Sequence, residues 1–331
     1  MRSDFERIVQ ETGAVPLTWD CSRATFPFVN LGDALGPVIV AAMAGLPVRH
    51  VGFKSRDTRL CSIGTIVHKM RDGTVHVWGT GVDARRNAMT PGPAEFEVPP
   101  ETAFVVHAVR GPHSRDTFRR AGVEAPAIYG DPAWFLPRLM PATVEKTHEL
   151  GVVLHVSELI ERHPNSGPLP EFRRYAVPAD QSGAVRIIAT YHDPTLAALK
   201  SKLNEILACK RIVSTSFHGM MLADAYGIPC AKFSLMRGGG RLIDAFDERE
   251  QLDHRFADFY AGSGRRKVPA FCQDRGEPTD WAAVADFIDR SWQPIDNDFA
   301  ALRDAFPLPL AVDPASHDWT GAVSGLDAFT L

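Results

Sequence analysis

Membrane spans, export signals and polyanion-binding faces are what this chain most plainly lacks. No apolar run approaches the ~20 residues needed to cross a bilayer. The opening "MRSDFERIVQETGAV" is amphipathic and acidic, not a basic segment leading into an apolar core, and reads as no export signal. The formal charge is −4 with no basic tract, which excludes an electrostatic case for nucleic acid. Cysteine is scarce. Cys21, Cys61, Cys209, Cys230 and Cys272 are odd in number, scattered and never in CxxC spacing, so they read as small apolar residues of a reducing, cytoplasmic compartment. HExxH, clustered cysteine–histidine sets, DxD and GxSxG are all missing, so no metal, no cofactor and no marked nucleophile is expected.

What remains is the composition of a globular protein, 45% hydrophobic and 23% charged over 331 residues, enough for two domains of ordinary size. In the first half "LGDALGPVIVAAMAGLPV" has apolar residues at helical spacing, with Asn30 and Asp33 as candidate caps and Gly45 as the stop. "VHVWGTGV" and "FVVHAVRG" read as buried strands. "PHSRDTFRRAG" is a helix with Pro112 in its first turn and Gly122 just past its end. "APAIYGDPAWFLP" reads as strand, turn and short helix. A boundary falls in "RLMPATVEKTHEL", and the pattern restarts with strands "GVVLHVSE" and "VRIIATY" either side of a proline-rich loop. Helix "PTLAALKSKLNEILAC", strand "RIVSTS", helix "GMMLADAYG" and strand "PCAKFSL" follow. The last 80 or so residues read as helices and a polar tail.

Strands separated by helices imply parallel sheets with right-handed crossovers. The expectation is an α/β protein of two Rossmann-like domains facing a cleft: residues 1–140, residues 150–290, and a C-terminal helix and tail over 291–331.

In open parallel sheets, ligands bind beyond the carboxyl ends of the strands. In the second half those ends carry His155, then Tyr191 and His192, then Ser216 and His218, then Ser234 and Arg237. Each alone is most simply a cap or loop residue; together they make a constellation. His218 stands out, because an imidazole at the tip of an apolar strand, opening a helix, is where a site concentrates.

Anion sites have two candidates. "LMRGGGRL" sets three glycines between Arg237 and Arg241, either backbone N–H groups free to line an anion or a plain surface turn. Arg110 lies at a strand end directly before a helix N-terminus, where dipole and guanidinium combine. "WGTG" places Gly79, Thr80 and Gly81 after a strand, for close ligand approach or simply a tight turn. Asn30 and Asp33 mark a junction opening on the same cleft.

"NLGDAL", "WGTG", "VRGPHSRDTF", "YGDPAWFLP" and "STSFHGMMLADAYGIP", in that order, resemble the polysaccharide pyruvyl transferase family, the members serving exopolysaccharide assembly most closely. The resemblance spans about residues 28 to 235. It implies a GT-B-like pair of Rossmann-like domains, with the N-terminal one on the acceptor side. It also implies transfer of the enolpyruvyl carbons of phosphoenolpyruvate onto two hydroxyls of a sugar or lipid-linked oligosaccharide, releasing phosphate. His218 would be the active-site histidine and Arg110, rather than Arg115, the donor-binding arginine, with Ser216 and Phe217 beside the donor. Asp33 is the candidate base for the acceptor hydroxyl; Asn30, Gly79, Thr80, Gly81, His155 and His192 would line the rest of the cleft.

Some members carry a basic residue where this chain has Ser216, so phosphate charge would be met by Arg237, Arg241 or Lys232. A lipid-linked acceptor would bring the protein to the inner face of the cytoplasmic membrane as a peripheral contact. The rival readings are a GT-B-type nucleotide-sugar glycosyltransferase and a non-catalytic saccharide-binding relative. The oligomeric state is left open.

Overall fold

Strand signals in the first 110 residues resolve into one parallel sheet in the computed structural model, which describes residues 4–315 apart from positions 142 and 251. After helix α1 (Asp4–Thr12) come β1 (Val15–Thr18), β2 (Val29–Asn30), helix α2 (Leu31–Ala44), β3 (Val48–His50), β4 (Arg59–Cys61), β5 (Gly73–Trp78) and β6 (Thr102–Ala108). The sheet runs β3-β1-β4-β5-β6, with every neighbouring pair parallel. Only the β1–β3 crossover carries an α-helix. The links β3–β4, β4–β5 and β5–β6 are loops, so the expected strand–helix alternation fails in most of this half.

Helix α3 (Pro112–Arg120) follows, then a 3₁₀ turn over Pro132–Phe135 and the one-turn helix α4 (Leu136–Leu139). The strand expected in "APAIY" shrinks to a single bridge between Val109 and Tyr129. The second half builds a six-stranded sheet from β7 (Leu150–Val153), β8 (Val185–Ile188), β10 (Ile212–Ser214), β11 (Cys230–Ser234), β12 (Gly239–Asp244) and β13 (Lys267–Cys272). Its order is β12-β13-β11-β10-β7-β8, parallel throughout except for the antiparallel β12–β13 edge. Helices α5 (Leu196–Leu207), α6 (Phe217–Ala225), α7 (His254–Ser263), α8 (Trp281–Ser291) and α9 (Ala300–Asp304) complete the fold.

Two sequence expectations are corrected here. Strand "VRIIATY" breaks after Ile188, and Tyr191–His192 becomes β9, which pairs antiparallel with β2 (Val29↔His192, Asn30↔Tyr191). The glycine run is no anion loop. Gly238 and Gly239 have φ of 118° and 68°, a bend only glycine adopts easily, and Gly239 and Gly240 then pair in β12 with Cys272 and Phe271. A Cβ on Gly240 would lie 2.1 Å from the Phe287 ring, so that glycine lets α8 pack on the strand. The segment 239–272, with β12, α7 and β13, was not anticipated.

Helix α2 explains how the halves meet. Its residues are buried on all sides except at Asp33, the mark of a helix enclosed by structure rather than laid on a surface. It touches β1 and β3 on one side and α5 and α6 on the other. One apolar cluster joins Val15 and Leu17 to Ile188, Ile212 and Cys230 through Leu35, Val38 and Met220. Gly45 closes the helix in the left-handed conformation (φ 62°), as its position predicts. Helix α9 returns to the first sheet, where Trp78 Nε1 donates to the Leu302 carbonyl (2.8 Å). The end of the expected tail, residues 316–331, lies outside the described residues.

Candidate functional site

The end of β10 shows why the chain sets small hydroxyls before its histidine. Ser214 Oγ donates to the Ser216 carbonyl (2.7 Å) and accepts the Ser216 N–H (3.0 Å), tightening the turn out of the strand. Ser216 Oγ then accepts from Gly219 N (3.3 Å) as the N-cap of α6. A Cβ on Gly219 would fall 2.6 Å from Val153 Cγ1 and 2.7 Å from Ser214 Oγ. The helix therefore starts hard against the sheet, with His218 in its first turn.

The His218 ring points into the junction between the halves. A Cβ on Gly32, in the first turn of α2, would lie 2.0 Å from His218 Nδ1, so only glycine leaves room for the imidazole. The glycine of "NLGDAL" is accounted for by this contact. His218 Nε2 lies 3.5 Å from Asp131 Oδ2, within ion-pair range, and is a buried atom with no hydrogen-bond partner among the described residues. The residue is 8% exposed, yet its surroundings are polar on the side facing Asp131.

Asp131 is wholly buried; Oδ1 accepts from Ala133 N (3.1 Å) and Oδ2 from Arg110 Nε (3.3 Å). Burial pushes its carboxyl up, but His218, Arg110 and the Ala133 N–H outweigh that and hold it below the usual carboxylate range. A depressed folded-state value stabilises the fold above the unfolded carboxylate pKa of about 3.9, and that stabilisation is lost as pH falls through the folded value. Asp131→Asn is therefore expected to flatten the loss of stability below about pH 4. Urea unfolding at a series of acidic pH values checks this; parallel curves for the two proteins would remove Asp131 from the acid response.

Arg110 occupies the predicted strand end but not as an open anion receptor. It is 1% exposed, and its other donors reach Thr65 Oγ1 (2.7 Å) and the Gly64 carbonyl. Its guanidinium also covers the Phe217 ring at 4.8 Å. The α3 N-terminus beside it is already filled. Asp258, from α7, accepts from Ser114 N (3.0 Å) and from Ser114 Oγ (2.5 Å), so the anion expected there is one of the protein's own carboxylates. A Cβ on Gly111 would fall 1.8 Å from the Asp258 carbonyl oxygen. Arg115 lies elsewhere, donating to the Ala125 carbonyl (3.1 Å).

The "WGTG" residues frame Arg110. A Cβ on Gly81 would lie 2.8 Å from Arg110 Nη1, and one on Gly79 (φ 79°) 2.4 Å from Pro132 Cδ. Buried Thr80 donates to the same Gly64 carbonyl (2.7 Å). Asn30 holds the N-cap position of α2, but its side chain donates to Asp33 Oδ2 (3.1 Å) instead of capping the backbone. Burial and neighbouring Asp20 push the Asp33 carboxyl up, against the opposing pull of Asn30 and His218. Pro37, four residues on, has no N–H to return to the Asp33 carbonyl.

His155, Arg237, Arg241 and His192 are spread out. His155 Nε2 pairs with Arg255 Nη1 (2.8 Å), and burial and Arg255 push the ring down to about 4. His192 is locked in β9 with Nδ1 on the Asp193 carbonyl (2.7 Å), and burial pushes it to about 4 as well. Arg237 is 84% exposed and pairs with Asp274 (3.0 Å); Arg241 pairs with Glu250. Among the described residues no contact joins either arginine to His218, so the glycine-run arginines do not enter this group.

A cavity of about 560 Å³ lies next to Arg110, lined by Thr65, Asp83 and His113 from the first half and by Asp253, His254 and Asp258 from the second. Its carboxylates and imidazoles are groups that hydrogen-bond sugar hydroxyls. His218 does not line it; Arg110 is the shared member. Sequence reasoning missed Asp131, although "GDPA" was in view, and missed Gly32, Asp258 and His254. Asp258 and His254 belong to a helix with no local motif. Among the described residues no group of three or more His, Cys, Asp or Glu could hold a metal ion, and no helix is long and apolar enough to cross a membrane.

The family read from the motifs is the one whose model matches: residues 102–235 match polysaccharide pyruvyl transferase. The matched segment contains Arg110, Asp131 and His218. The match over this segment supports a transferase enzyme. A search of the curated proteins finds no match.

Proposed function

We propose, with the pyruvyl transferase match as premise, that this protein transfers the pyruvyl group of phosphoenolpyruvate to two hydroxyls of a sugar in a polysaccharide precursor. The observation that carries the reading is the His218 ring held between Gly32 and the buried Asp131–Arg110 pair, one half of the chain facing the other. Donor chemistry needs a proton at the methylene carbon and stabilisation of positive charge at the carbon beside it. His218 delivers the proton. Asp131 acts through His218 as a positioning residue, steadying the ring and its charged form. One acceptor hydroxyl then adds to the cationic carbon and phosphate departs. The second hydroxyl closes the ketal. Of the two hydroxyl protons, one replaces that given to carbon and the other leaves with phosphate.

Arg110 organises this group and borders the cavity in which the sugar sits. Asp33, with its raised carboxyl, takes a hydroxyl proton. The donor is a substrate, and the reaction needs no cofactor. The two sheets act as two Rossmann-like units, the first on the acceptor side, whose approach excludes the water that would compete for the activated carbon. A lipid-linked precursor would be met at the inner face of the cytoplasmic membrane.

Phosphoenolpyruvate is expected to raise the melting temperature, with a stabilisation of about 2.7 kcal/mol at 100 times Kd. Uridine and guanosine diphosphate sugars are expected to leave it unchanged. The reverse pattern in a thermal-shift titration would favour a glycosyltransferase.

A further inference from the structure

Lys232 presents a buried charge that no carboxylate among the described residues meets in an ion pair. It is 8% exposed, and among the described residues its ammonium makes no hydrogen bond or ion pair; it lies over the Phe256 ring, 4.1 Å from the centroid. The nearby carboxylates act on it only at a distance. Asp253 binds Arg255 through both oxygens (3.0 and 3.0 Å), and Glu158 accepts through Oε2 from both Tyr175 (2.7 Å) and Thr215. His155 is taken by Arg255 and Ser157. Arg174 stacks on Phe233, whose side chain leaves the opposite face of β11, and its charge opposes that of Lys232 instead of balancing it. A single aromatic contact does not offset the desolvation of an ammonium. Burial pushes the Lys232 amine down to about 8.

The position of this charge relates it to the site. Lys232 is the ladder partner of Ser214, the residue that shapes the turn into His218. Phe256, in the first turn of α7, meets Phe217 edge-on at 5.5 Å, and Phe217 also meets the Phe259 ring (5.6 Å), the His218 ring (4.9 Å) and the Arg110 guanidinium. Lys232 and Arg110 thus stand on either side of one pair of aromatic rings. Ser216, two residues before His218, is neutral and spends its hydroxyl as a helix cap.

We propose that Lys232 is the phosphate-binding cation of this protein, receiving a phosphate oxyanion beside the N-terminal turn of α7. The oxyanion is either the phosphate of the donor or a phosphate of an activated acceptor. The inference rests on the proposed function only for the identity of the phosphate, not for its binding.

Calorimetric titration of the full chain with inorganic phosphate, phosphoenolpyruvate and geranyl diphosphate tests it. Lys232→Met is expected to weaken inorganic phosphate at least tenfold, and Lys232→Arg to stay within a few-fold of the parent. Equal loss for phosphoenolpyruvate identifies the donor as source; loss for geranyl diphosphate alone identifies the acceptor. Unchanged phosphate affinity in Lys232→Met overturns the proposal. A second measurement needs no variant: acylation of Lys232, followed by mass spectrometry, is expected to slow severalfold with saturating phosphate, and an unaltered rate also overturns it. Phosphate binding at Lys232 without pyruvyl transfer would sink the proposed function alone. Pyruvyl transfer with a Lys232→Met protein of parental KM and phosphate affinity would sink this inference alone.

Discussion

Alanine at position 218 is expected to lower pyruvyl transfer by roughly 10²–10⁴-fold, the range for losing a positioned acid–base group. The fold should tolerate the change. His218 Nε2 has no hydrogen-bond partner among the described residues, and Asp131 keeps both its Arg110 and its Ala133 contacts without the ring. Emptying the space of a buried ring should cost about 1–3 kcal/mol, short of unfolding the chain. Phosphate release from phosphoenolpyruvate with a sugar acceptor present, read beside the melting temperature, separates the two effects. Near-parental release from a folded His218→Ala protein would take the imidazole out of the chemical step.

The second large effect falls on stability. Arg110→Ala removes the guanidinium hydrogen-bonded to buried Asp131, along with the donors that tie the Gly64 and Thr65 loop to β6. Breaking a buried pair by deleting one partner costs about 3–5 kcal/mol, because the remaining charge is stranded. Arg110→Lys keeps the charge but not the fork that reaches three acceptors, and should recover only part of the loss. In urea the midpoint should fall while the slope is kept. In an Asp131→Asn background the same substitution should cost much less, since the stranded charge is gone. A midpoint within experimental error of the parent would mean that Arg110 serves the ligand and not the scaffold. The sequence alone led instead to a donor-binding effect, because the strand end is legible while the residues closing over it are not.

That contrast describes how far the sequence reaches. Local signals were readable wherever local chemistry decides the outcome. Gly45 and Pro112 sit where helix ends put them, and His218 opens its helix behind a serine cap. Positions decided by distant chain segments were not. The α3 N-terminus looked like an empty anion site because Asp258, 144 residues further on, carries no mark of its destination. The glycine run looked like a loop because its strand partner Lys267–Cys272 is interrupted by Pro269, and its close neighbour Phe287 lies on a later helix. Gly32 could be read as part of a motif, but its purpose appears only when the His218 ring is set against it.

The two-residue ladder between Val29–Asn30 and Tyr191–His192, together with the Leu31 N–H donated to the Thr190 carbonyl (2.8 Å), stitches the start of α2 to the far half of the polypeptide. Gly32 lies one residue beyond that stitch. The space around the imidazole is therefore gauged by the very link that holds the halves in register. Severing the chain between residues 140 and 150 would leave each fragment without the other's share of that gauge.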